Sequence, residues 1–492
     1  MKVLTSEVKH KPSIAGDALK LTMSKVITLV ISMVIAMLLS RFRTVAEYGT
    51  YSQIMLTINL VTTIVLLGLP NSVNYFLART EDSEERNKFL SIFYTLTTLL
   101  SILVGLTLVL SVPLLEMYFK NNGLRAFLYF FAIYPWSKII MQTIDNILIV
   151  YRKTTKLMIF RVLNSLALLM AIVVVQIFKL SFTDYMIIYI VIEAVFTFSV
   201  YLIVRNVSGK MRFNFDKAFV KMILKFSIPI GLASSVGTLN KELDKLVISW
   251  FYDTESLAIY TNAARELPVV IVATSITAVL LPQMVRMLKK EQKREAVELW
   301  GNATMLAYIV ICFIAAGIFV YAPEAIELLY SAKYLPGVSV FRVYALVLLF
   351  RATYFGIVLN ATGRTRLIFN SSIIALVANI LLNIVFSYLF GFIGPAIATL
   401  FATAGSMIYL QCMTSKVLDM SFFKIFPWRK VIIVTGVNIF LGIIFLLLKQ
   451  LIGIEAYIGE IGESLILGAV WMMIYALLYF RKIVGYIRAL GK

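Results

Sequence analysis

The amino-acid sequence predicts an all-α integral membrane protein with about 14 transmembrane helices. Hydrophobic residues make up 60% of the chain, against roughly 45–50% in soluble domains. They are concentrated in runs of about 20 residues, the length at which a helix crosses a hydrocarbon core of about 30 Å. None of the runs shows the alternating pattern of membrane-barrel strands. Helices, rather than a barrel, are therefore expected to cross the bilayer.

The apolar windows place the spans along the chain. The first run, 21–39, is longer than a signal-peptide core and is not followed by a small-x-small cleavage site, so we expect it to be a retained span. The predicted spans are 21–40, 50–70, 89–111, 126–150, 157–178, 184–204, 226–250, 258–284, 299–321, 337–360, 367–389, 394–414, 431–448 and 464–480.

The lysines and arginines indicate the orientation. With these spans, the side that holds both termini has 31 of the 46 cations, the opposite side has 7, and the spans have 8. The positive-inside rule therefore predicts that both termini are cytoplasmic. Basic loops beside anionic lipid account for the formal net charge of +20 without a nucleic acid partner.

Several kinds of active site are excluded by composition. His10 is the sole histidine and lies in the amino-terminal tail, which argues against a histidine-based metal site or a Ser-His-Asp triad. Cys312 and Cys412 lie inside apolar runs and form no CxxC motif. The chain also lacks a P-loop for ATP. We expect no metal, no cofactor and no catalytic residues.

The basic connection 205–225 separates six spans from eight, and we interpret it as the boundary between two lobes. The predicted domains are an N-lobe (1–204), this cytoplasmic linker (205–225), a C-lobe (226–414) and two extra spans with a tail (415–492). Ser40-x-Phe42 with Tyr51-Ser52 recurs as Ser249-x-Phe251 with Tyr260-Thr261. This is either a chance likeness of apolar segments or a parallel repeat, as in transporters whose halves rock around a central site.

Charges inside the spans are the candidate functional residues, because intramembrane charge is costly. The spans contain eight cations and five acids, and this surplus suits an anionic or phosphorylated substrate. The candidate cavity cations are Arg351, Lys245, Lys241, Lys138, Arg265 and Lys25, and the candidate ion-pair or coupling acids are Asp145, Glu193, Asp244 and Glu266.

Alternatives remain for some of these residues. Lys241 and Lys245 share one helix face, and Asp244 is expected to pair with Lys241, either as part of a transport site or only as a structural ion pair. Lys25 is close to the cytoplasmic end of its span and could simply snorkel. Arg351 falls near mid-span, whereas Arg342 is half a turn away in angle and is expected at the interface.

A series of short motifs runs along nearly the whole chain. The motifs are Leu39-Ser40-Arg41, Tyr48-Gly49-x-Tyr51, Leu67-Gly68-Leu69-Pro70, Asp244-Lys245, Tyr260, Lys333-Tyr334-x-Pro336, Asn360-Ala361-Thr362-Gly363-Arg364, Asn379-x-x-Leu382-Asn383 and Gly391-x-x-Gly394-x-Ala396-x-Ala398-Thr399. In their order and spacing the sequence resembles the bacterial polysaccharide-repeat-unit flippases, exporters of lipid-linked oligosaccharides of the O-antigen type, in the superfamily that includes multidrug antiporters and the peptidoglycan lipid-precursor flippase. Ser331, where the family often has glycine, and Pro395, where it usually has alanine, depart from the pattern.

The resemblance implies two six-helix lobes in a V plus two C-terminal helices, in the bacterial cytoplasmic membrane. The implied function is to flip an undecaprenyl-pyrophosphate-linked oligosaccharide by alternating access. The implied partners are this substrate, membrane lipids, and glycosyltransferases and a polymerase of the same pathway. Peptidoglycan-precursor flipping and cation-coupled drug export are alternatives within the fold, although an antiporter should favour acids in its cavity.

Two other classes are less well supported by the sequence. A membrane polysaccharide polymerase or ligase needs a substantial external loop for its catalytic groups, and the longest predicted external loop, 322–336, is short and mostly apolar. A scaffold within a biosynthetic complex is the third class. We therefore expect a transporter rather than an enzyme.

The predicted orientation can be tested with topology reporters. A reporter fused after Lys210, Lys290 or Lys424 should be cytoplasmic, and one near Tyr334 or Glu460 should be external, because 31 cations lie on one side and 7 on the other. Alkaline phosphatase and fluorescent-protein fusions measure the two states. An external location for the 205–225 connection would contradict the whole topology.

Overall fold

A computed structural model describes residues 14–490 except 67, 81, 211, 266, 268 and 454. These residues form an all-α fold. The helices are α1 (Ile14–Phe42), α2 (Val45–Leu66), α3 (Leu69–Arg79), α4 (Ser83–Phe119), α5 (Leu128–Val150), α6 (Thr154–Ile177), α7 (Phe182–Ser208), α8 (Lys217–Phe251), α9 (Thr254–Ala263), α10 (Val270–Lys289), α11 (Lys293–Val320), α12 (Ala322–Tyr330), α13 (Val338–Leu349), α14 (Ile357–Ala361), α15 (Thr365–Phe390), α16 (Gly394–Leu418), α17 (Trp428–Ile452) and α18 (Glu455–Leu490). Short 3₁₀ turns occupy Asn122–Phe127, Ala332–Gly337 and Gly391–Ile393.

The predicted fold class is confirmed. Within the described residues, 11 helical stretches are long and apolar enough to cross a membrane, and the longest of these, Thr365–Leu418, contains both α15 and α16. The predicted span 258–284 coincides with the pair α9 and α10, and 337–360 coincides with the pair α13 and α14. Each of the other predicted spans coincides with one helix. The described helices are therefore roughly consistent with the predicted fourteen spans, although α5 and α10 lie outside the eleven stretches.

Close backbone approach explains two of the glycines. Gly391 ends α15 with φ of 62°, a conformation that glycine adopts without steric cost. A Cβ atom on Gly394 would lie 2.1 Å from the carbonyl oxygen of Phe386. Only a residue without a side chain fits there, so the tight turn between α15 and α16 depends on both glycines.

Contacts divide the chain into two compact units. The first contains 1–36, 64–110 and 127–231, and the second contains 37–63, 111–126 and 232–492. Neither unit is continuous in sequence, because α1, α2 and α4 each contribute residues to both. The lobe boundary at 205–225 stays a prediction.

The first unit contains α5, α6 and α7 together with α3 and most of α4. Its tightest backbone approaches are made by glycines: a Cβ on Gly105 of α4 would lie 2.5 Å from the carbonyl oxygen of Ala132 in α5. Small residues at such positions let membrane helices pack closely.

The C-terminal helices α17 and α18 pack against α11 in the second unit. Trp471 of α18 is fully buried, and its ring stacks on Phe445 of α17 with centroids 5.3 Å apart. Phe313 of α11 meets the same indole edge-on at 5.7 Å. The two extra helices therefore share an aromatic core with the body of this unit.

A reciprocal clasp, formed by Arg41 and Lys333, joins α1 to α12 in the second unit. The Arg41 guanidinium donates to the carbonyl oxygens of Glu327 and Leu328 in the last turn of α12. Lys333, just beyond α12, donates to the carbonyl oxygens of Arg41 and Arg43, at distances of 3.2 and 2.9 Å. Each cation thereby donates to carbonyls at the end of the other helix, where a positive charge is favourable; the Glu327 carbonyl also accepts from the Ser331 N–H at 3.0 Å.

Ser331, which lies between the end of α12 and Lys333, has an unfavourable backbone conformation. Its φ is 92° and its hydroxyl is buried without a hydrogen-bond partner in the described structure. Glycine, which the resembled family often has here, adopts such a φ readily. This gives a physical reason for the family's glycine.

Ser331→Gly should therefore stabilise the protein. The substitution relieves about 1 kcal/mol of backbone strain, so the apparent melting temperature in detergent should rise by a few degrees. Ser199→Gly is the matched control, because Ser199 is half-buried inside α7 and glycine there costs roughly 0.5 kcal/mol or more. Destabilisation by both substitutions would show that Ser331 is not strained.

Candidate functional site

The candidate site in the second unit is organised around Asp244 on α8. This residue is 2% exposed. Its Oδ2 atom accepts hydrogen bonds from the hydroxyls of Tyr260 on α9, at 3.1 Å, and Tyr344 on α13. Its Oδ1 atom accepts from the backbone N–H of Lys245 at 2.8 Å. A buried carboxylate needs such donors, and here they tie three helices together.

The two lysines of α8 flank this carboxylate. Lys245 forms an ion pair with Glu242, with 2.6 Å between Nζ and Oε2. Lys245 is also the cation whose charge acts on the Asp244 carboxylate. Lys241 lies three residues before Asp244 on the same helix, and their pairing stays a prediction.

Arg265, between α9 and α10, reaches a cluster of tyrosines. Its guanidinium donates to the hydroxyl of Tyr48 on α2 at 2.8 Å, and that hydroxyl donates to Oδ1 of Asn262 at 2.6 Å. Tyr51 and Tyr330 are also close enough to interact with its charge. This cation is held by neutral hydroxyls in the described residues. Glu266, the adjacent candidate acid, lies outside those residues.

Arg351 lies where the helical span is interrupted. α13 ends at Leu349 and α14 begins at Ile357, so residues 350–356 are not helical. The indole N–H of Trp300 and the hydroxyl of Thr304 both donate to Thr353 at 3.0 Å, which fills part of the break from α11. Irregular backbone at membrane depth is tolerated only where protein surrounds it or where it lines a cavity.

Arg351 and Arg265 line the same small crevice. Tyr344 also lines it, and the free volume is about 10 Å³, room for about one water molecule. The charge of Arg351 also acts on Tyr344. Two guanidinium groups, a tyrosine and the buried Asp244 thus form one polar group inside apolar helices. Their planar, forked donors suit the oxygens of a phosphate.

Arg342 lies on a different surface from Arg351. Its Nε atom donates to the carbonyl oxygen of Phe319 at 3.1 Å. It lines an apolar groove of about 590 Å³ between α11, α13 and α17, which also includes Cys312, Leu346 and Leu446. The expectation that the two arginines serve different surfaces agrees with this arrangement.

The first unit contains a separate group of charges. Arg161 of α6 donates from Nε and Nη2 to Asp145 of α5, at 2.9 and 2.6 Å. Glu193 of α7 is buried and accepts from Asn164 at 3.1 Å. Lys138 and Arg161 are the cations whose charges act on Glu193. Two cations therefore face two acids in this group.

Lys25 of α1 is exposed and its backbone carbonyl accepts from Thr28 at 3.1 Å. Within the described structure it belongs to neither charged group. This position fits the snorkelling alternative.

The tyrosines of the site were not expected from the sequence as functional residues. Tyr344 precedes Arg351 by seven residues, a spacing that would place both on one face of an uninterrupted helix. That spacing is a signal that a search for polar residues around each intramembrane cation would find. Tyr48 carries no comparable signal, because it is 217 residues from Arg265 in the chain.

Comparisons with known proteins show the family and the fold of the chain. Residues 14–288 match the family model described as "Polysaccharide biosynthesis protein". An uncharacterized membrane protein of Methanocaldococcus jannaschii is 26% identical over 288 residues, which cover 56% of this chain and 54% of that protein. The capsular polysaccharide biosynthesis protein CapF of Staphylococcus aureus is 22% identical over 216 residues, covering 42% of this chain and 54% of CapF. The chain thus spans about half the length of these relatives.

Solved structures share the fold. The lipid II flippase MurJ in an inward closed conformation superposes with a TM-score of 0.76 and 17% identity, covering 94% of this chain and 99% of MurJ. An inward-facing multidrug transporter of the MATE family superposes with a TM-score of 0.65 and 14% identity, covering 82% of this chain and 99% of the transporter. Because the family model matches more than half of the sequence, this chain belongs to the polysaccharide biosynthesis protein family, with the fold shared by MurJ and the MATE transporters.

Proposed function

We propose that the protein is a transporter that flips an undecaprenyl-pyrophosphate-linked oligosaccharide from the cytoplasmic to the outer leaflet of the cytoplasmic membrane. The observation that carries the proposal is the pair Arg265 and Arg351, which line one crevice beside the helix break at 350–356. A pyrophosphate cannot enter hydrocarbon uncompensated, and two fixed guanidinium groups would replace its hydration with charge-assisted hydrogen bonds.

The apolar groove supports a lipid-linked substrate. Its volume of about 590 Å³ is within the roughly 300–1,000 Å³ of ligand pockets, and nearly all of its lining is apolar. In our proposal it takes part of the polyprenyl chain while the arginines bind the pyrophosphate. Lys241 and Lys245 of the same unit would supply further weak positions along the route, so that no single clamp prevents release.

The membrane setting of the proposal follows from the basic loops and the family. Both termini would be cytoplasmic, and the two lobes 1–204 and 226–414 would alternate in access. The pathway partners would be glycosyltransferases that build the substrate and a polymerase that uses it. The relative CapF, named for capsular polysaccharide biosynthesis, supports a surface polysaccharide as the destination.

Peptidoglycan-precursor flipping is the second candidate function, favoured by the structural likeness to the lipid II flippase MurJ. Both candidate substrates have a polyprenyl chain and a pyrophosphate, so the arginines do not distinguish them. Deletion of the gene distinguishes the two substrates. If the first candidate is right, an oligosaccharide-linked lipid should accumulate in the cytoplasmic leaflet while lipid II does not. Accumulation of lipid II alone would replace the first candidate by the second. Cation-coupled drug export is disfavoured by the eight cations against five acids in the predicted spans.

Neutralising Arg351 should stop transport without loss of protein. Removing a charge-assisted hydrogen bond costs about 1.5–3 kcal/mol, so Arg351→Gln should reduce flipping by roughly 10-fold to 150-fold. Arg351→Lys should retain part of the activity, since it keeps the charge but loses the fork. Flipping is measured as surface exposure of the lipid-linked oligosaccharide, with membrane abundance measured in parallel.

Arg366→Gln is the matched control, because Arg366 is an exposed arginine in the first turn of α15. It should export normally. If Arg351→Gln also exports normally, or fails only because the protein disappears, Arg351 does not bind the pyrophosphate.

Asp244 either couples transport to protons or only fastens helices together, and a substitution separates these two roles. Asp244→Asn keeps an acceptor oxygen for Tyr260 and Tyr344, removes the charge and also loses the acceptor for the Lys245 backbone N–H. If Asp244 couples transport to protons, as we propose, this variant should lose the response of flipping to an imposed proton gradient in proteoliposomes.

Tyr344→Phe is the structural control for Asp244→Asn. It removes one donor to Asp244 and should lower stability by about 1 kcal/mol or more while keeping the gradient response. A gradient response that persists in Asp244→Asn, together with a lower melting temperature, would show that Asp244 only fastens helices.

A further inference from the structure

The connection after α7 in the first unit is fixed along α4. The side-chain amide of Asn87 donates to the carbonyl oxygen of Ser208 at 3.0 Å. The backbone N–H of Arg212 donates to the Ser91 hydroxyl at 3.2 Å, and that of Asn214 donates to the Thr95 hydroxyl at 3.3 Å.

The three α4 side chains are spaced four residues apart and so share one helix face. At 1.5 Å per residue they fix the connection over about 12 Å of α4.

Gly209 makes this path possible. Its φ is 98°, and a Cβ atom there would lie 2.8 Å from the Asn87 amide nitrogen. The chain can therefore turn sharply out of α7 and return along α4. Lys210 and Arg212 are presented from a fixed backbone rather than from a free loop.

An amphipathic cleft of about 500 Å³ lies beside this connection. It is lined by Arg205, Lys210 and Arg212 and by three side chains of α7, Phe198, Tyr201 and Leu202. The described structure shows no ion pair to any of its three cations. Phe198 is 63% exposed and Leu202 is 50% exposed, so the apolar wall is open to a ligand.

Tyr201, which lines the cleft, is held in place by hydrogen bonds and ring stacking. The Tyr201 hydroxyl accepts from the indole N–H of Trp136 at 3.0 Å and hydrogen-bonds with Thr98 at 2.7 Å. Its ring also stacks on Trp136, with 20° between the planes. Because its hydroxyl is already partnered, Tyr201 offers its ring face, an apolar surface, to whatever occupies the cleft.

We propose that this cleft binds an anionic phospholipid of the surrounding leaflet. Phe198, Leu202 and Arg205 follow one another at helical spacing, so an apolar stripe on α7 leads directly to the cations. A molecule that joins hydrocarbon to phosphate matches that order: the headgroup lies against Arg205, Lys210 and Arg212, and an acyl chain lies along Phe198 and Leu202. Basic pockets at membrane helix ends bind such headgroups.

Charge narrows the choice of lipid. One phosphate would leave most of the three positive charges uncompensated, whereas two phosphates in one headgroup would compensate more of them. We therefore expect cardiolipin to bind more tightly than phosphatidylglycerol, and phosphatidylcholine to bind least. The transported lipid also has phosphates, so the experiment must separate the two sources.

Lipid retention by the purified full-length protein tests the proposal. The protein is exchanged into mixed micelles with cardiolipin or phosphatidylcholine, and bound lipid is counted by native mass spectrometry. Simultaneous Arg205→Gln, Lys210→Gln and Arg212→Gln substitutions should reduce cardiolipin retention at least 10-fold. Lys217→Gln, Lys221→Gln and Lys225→Gln together make the same change in charge on neighbouring α8 and should leave retention unchanged.

A second pair of substitutions tests the fixed backbone without changing charge. Ser91→Ala and Thr95→Val remove the acceptors for the Arg212 and Asn214 N–H groups, and together they should weaken retention several-fold. If the first triple variant is not monodisperse, the single changes Lys210→Gln and Arg212→Gln replace it.

Three results would overturn the proposal. Equal loss in both triple variants would indicate general attraction of lipid to basic residues. Displacement of cardiolipin by millimolar inorganic pyrophosphate would indicate a site for a free anion. Retention of undecaprenyl pyrophosphate but not cardiolipin through the same residues would assign the cleft to the transport route. Because the readout is lipid retention, it is independent of whether the proposed flipping occurs.

Discussion

A charged group inside a bilayer can be stabilised only by other parts of the protein, because hydrocarbon supplies neither donors nor acceptors. Asp244 meets this requirement with hydroxyls from two other helices, and Arg265 meets it with the phenol of Tyr48. The interrupted backbone around Arg351 meets it through the contacts of Trp300 and Thr304 with Thr353. The packing of α8, α9, α11 and α13 is therefore organised by polar groups as much as by apolar area.

The two units solve this problem differently. In the first, Lys138 and Arg161 face Asp145 and Glu193, so the described group is balanced in charge. In the second, the Tyr48 hydroxyl accepts from Arg265, and Tyr344 lines the same crevice as Arg265 and Arg351. Hydroxyl groups therefore contribute more to the polar interactions of the second unit's described site than to those of the first unit's charged group.

The spans could be predicted from the sequence because bilayer thickness fixes the length of an apolar run. The interruption after Leu349 could not, since residues 350–356 lie inside a mostly apolar window, 337–360, that lacks proline. The partners of Asp244 were equally hidden, because Tyr260 and Tyr344 follow it by 16 and 100 residues. Charged positions within spans are visible in sequence, whereas the neutral hydroxyls that hold them are set by tertiary packing.

The reciprocal clasp between Arg41 and Lys333 has an evolutionary consequence. All of its acceptors are main-chain carbonyls, which every amino acid provides. Substitutions at positions 327 and 328 would leave the acceptors in place, so no compensating change elsewhere would be selected. Methods that infer contacts from correlated substitutions would therefore miss this junction, and relatives could preserve it with two basic residues amid otherwise divergent helix ends.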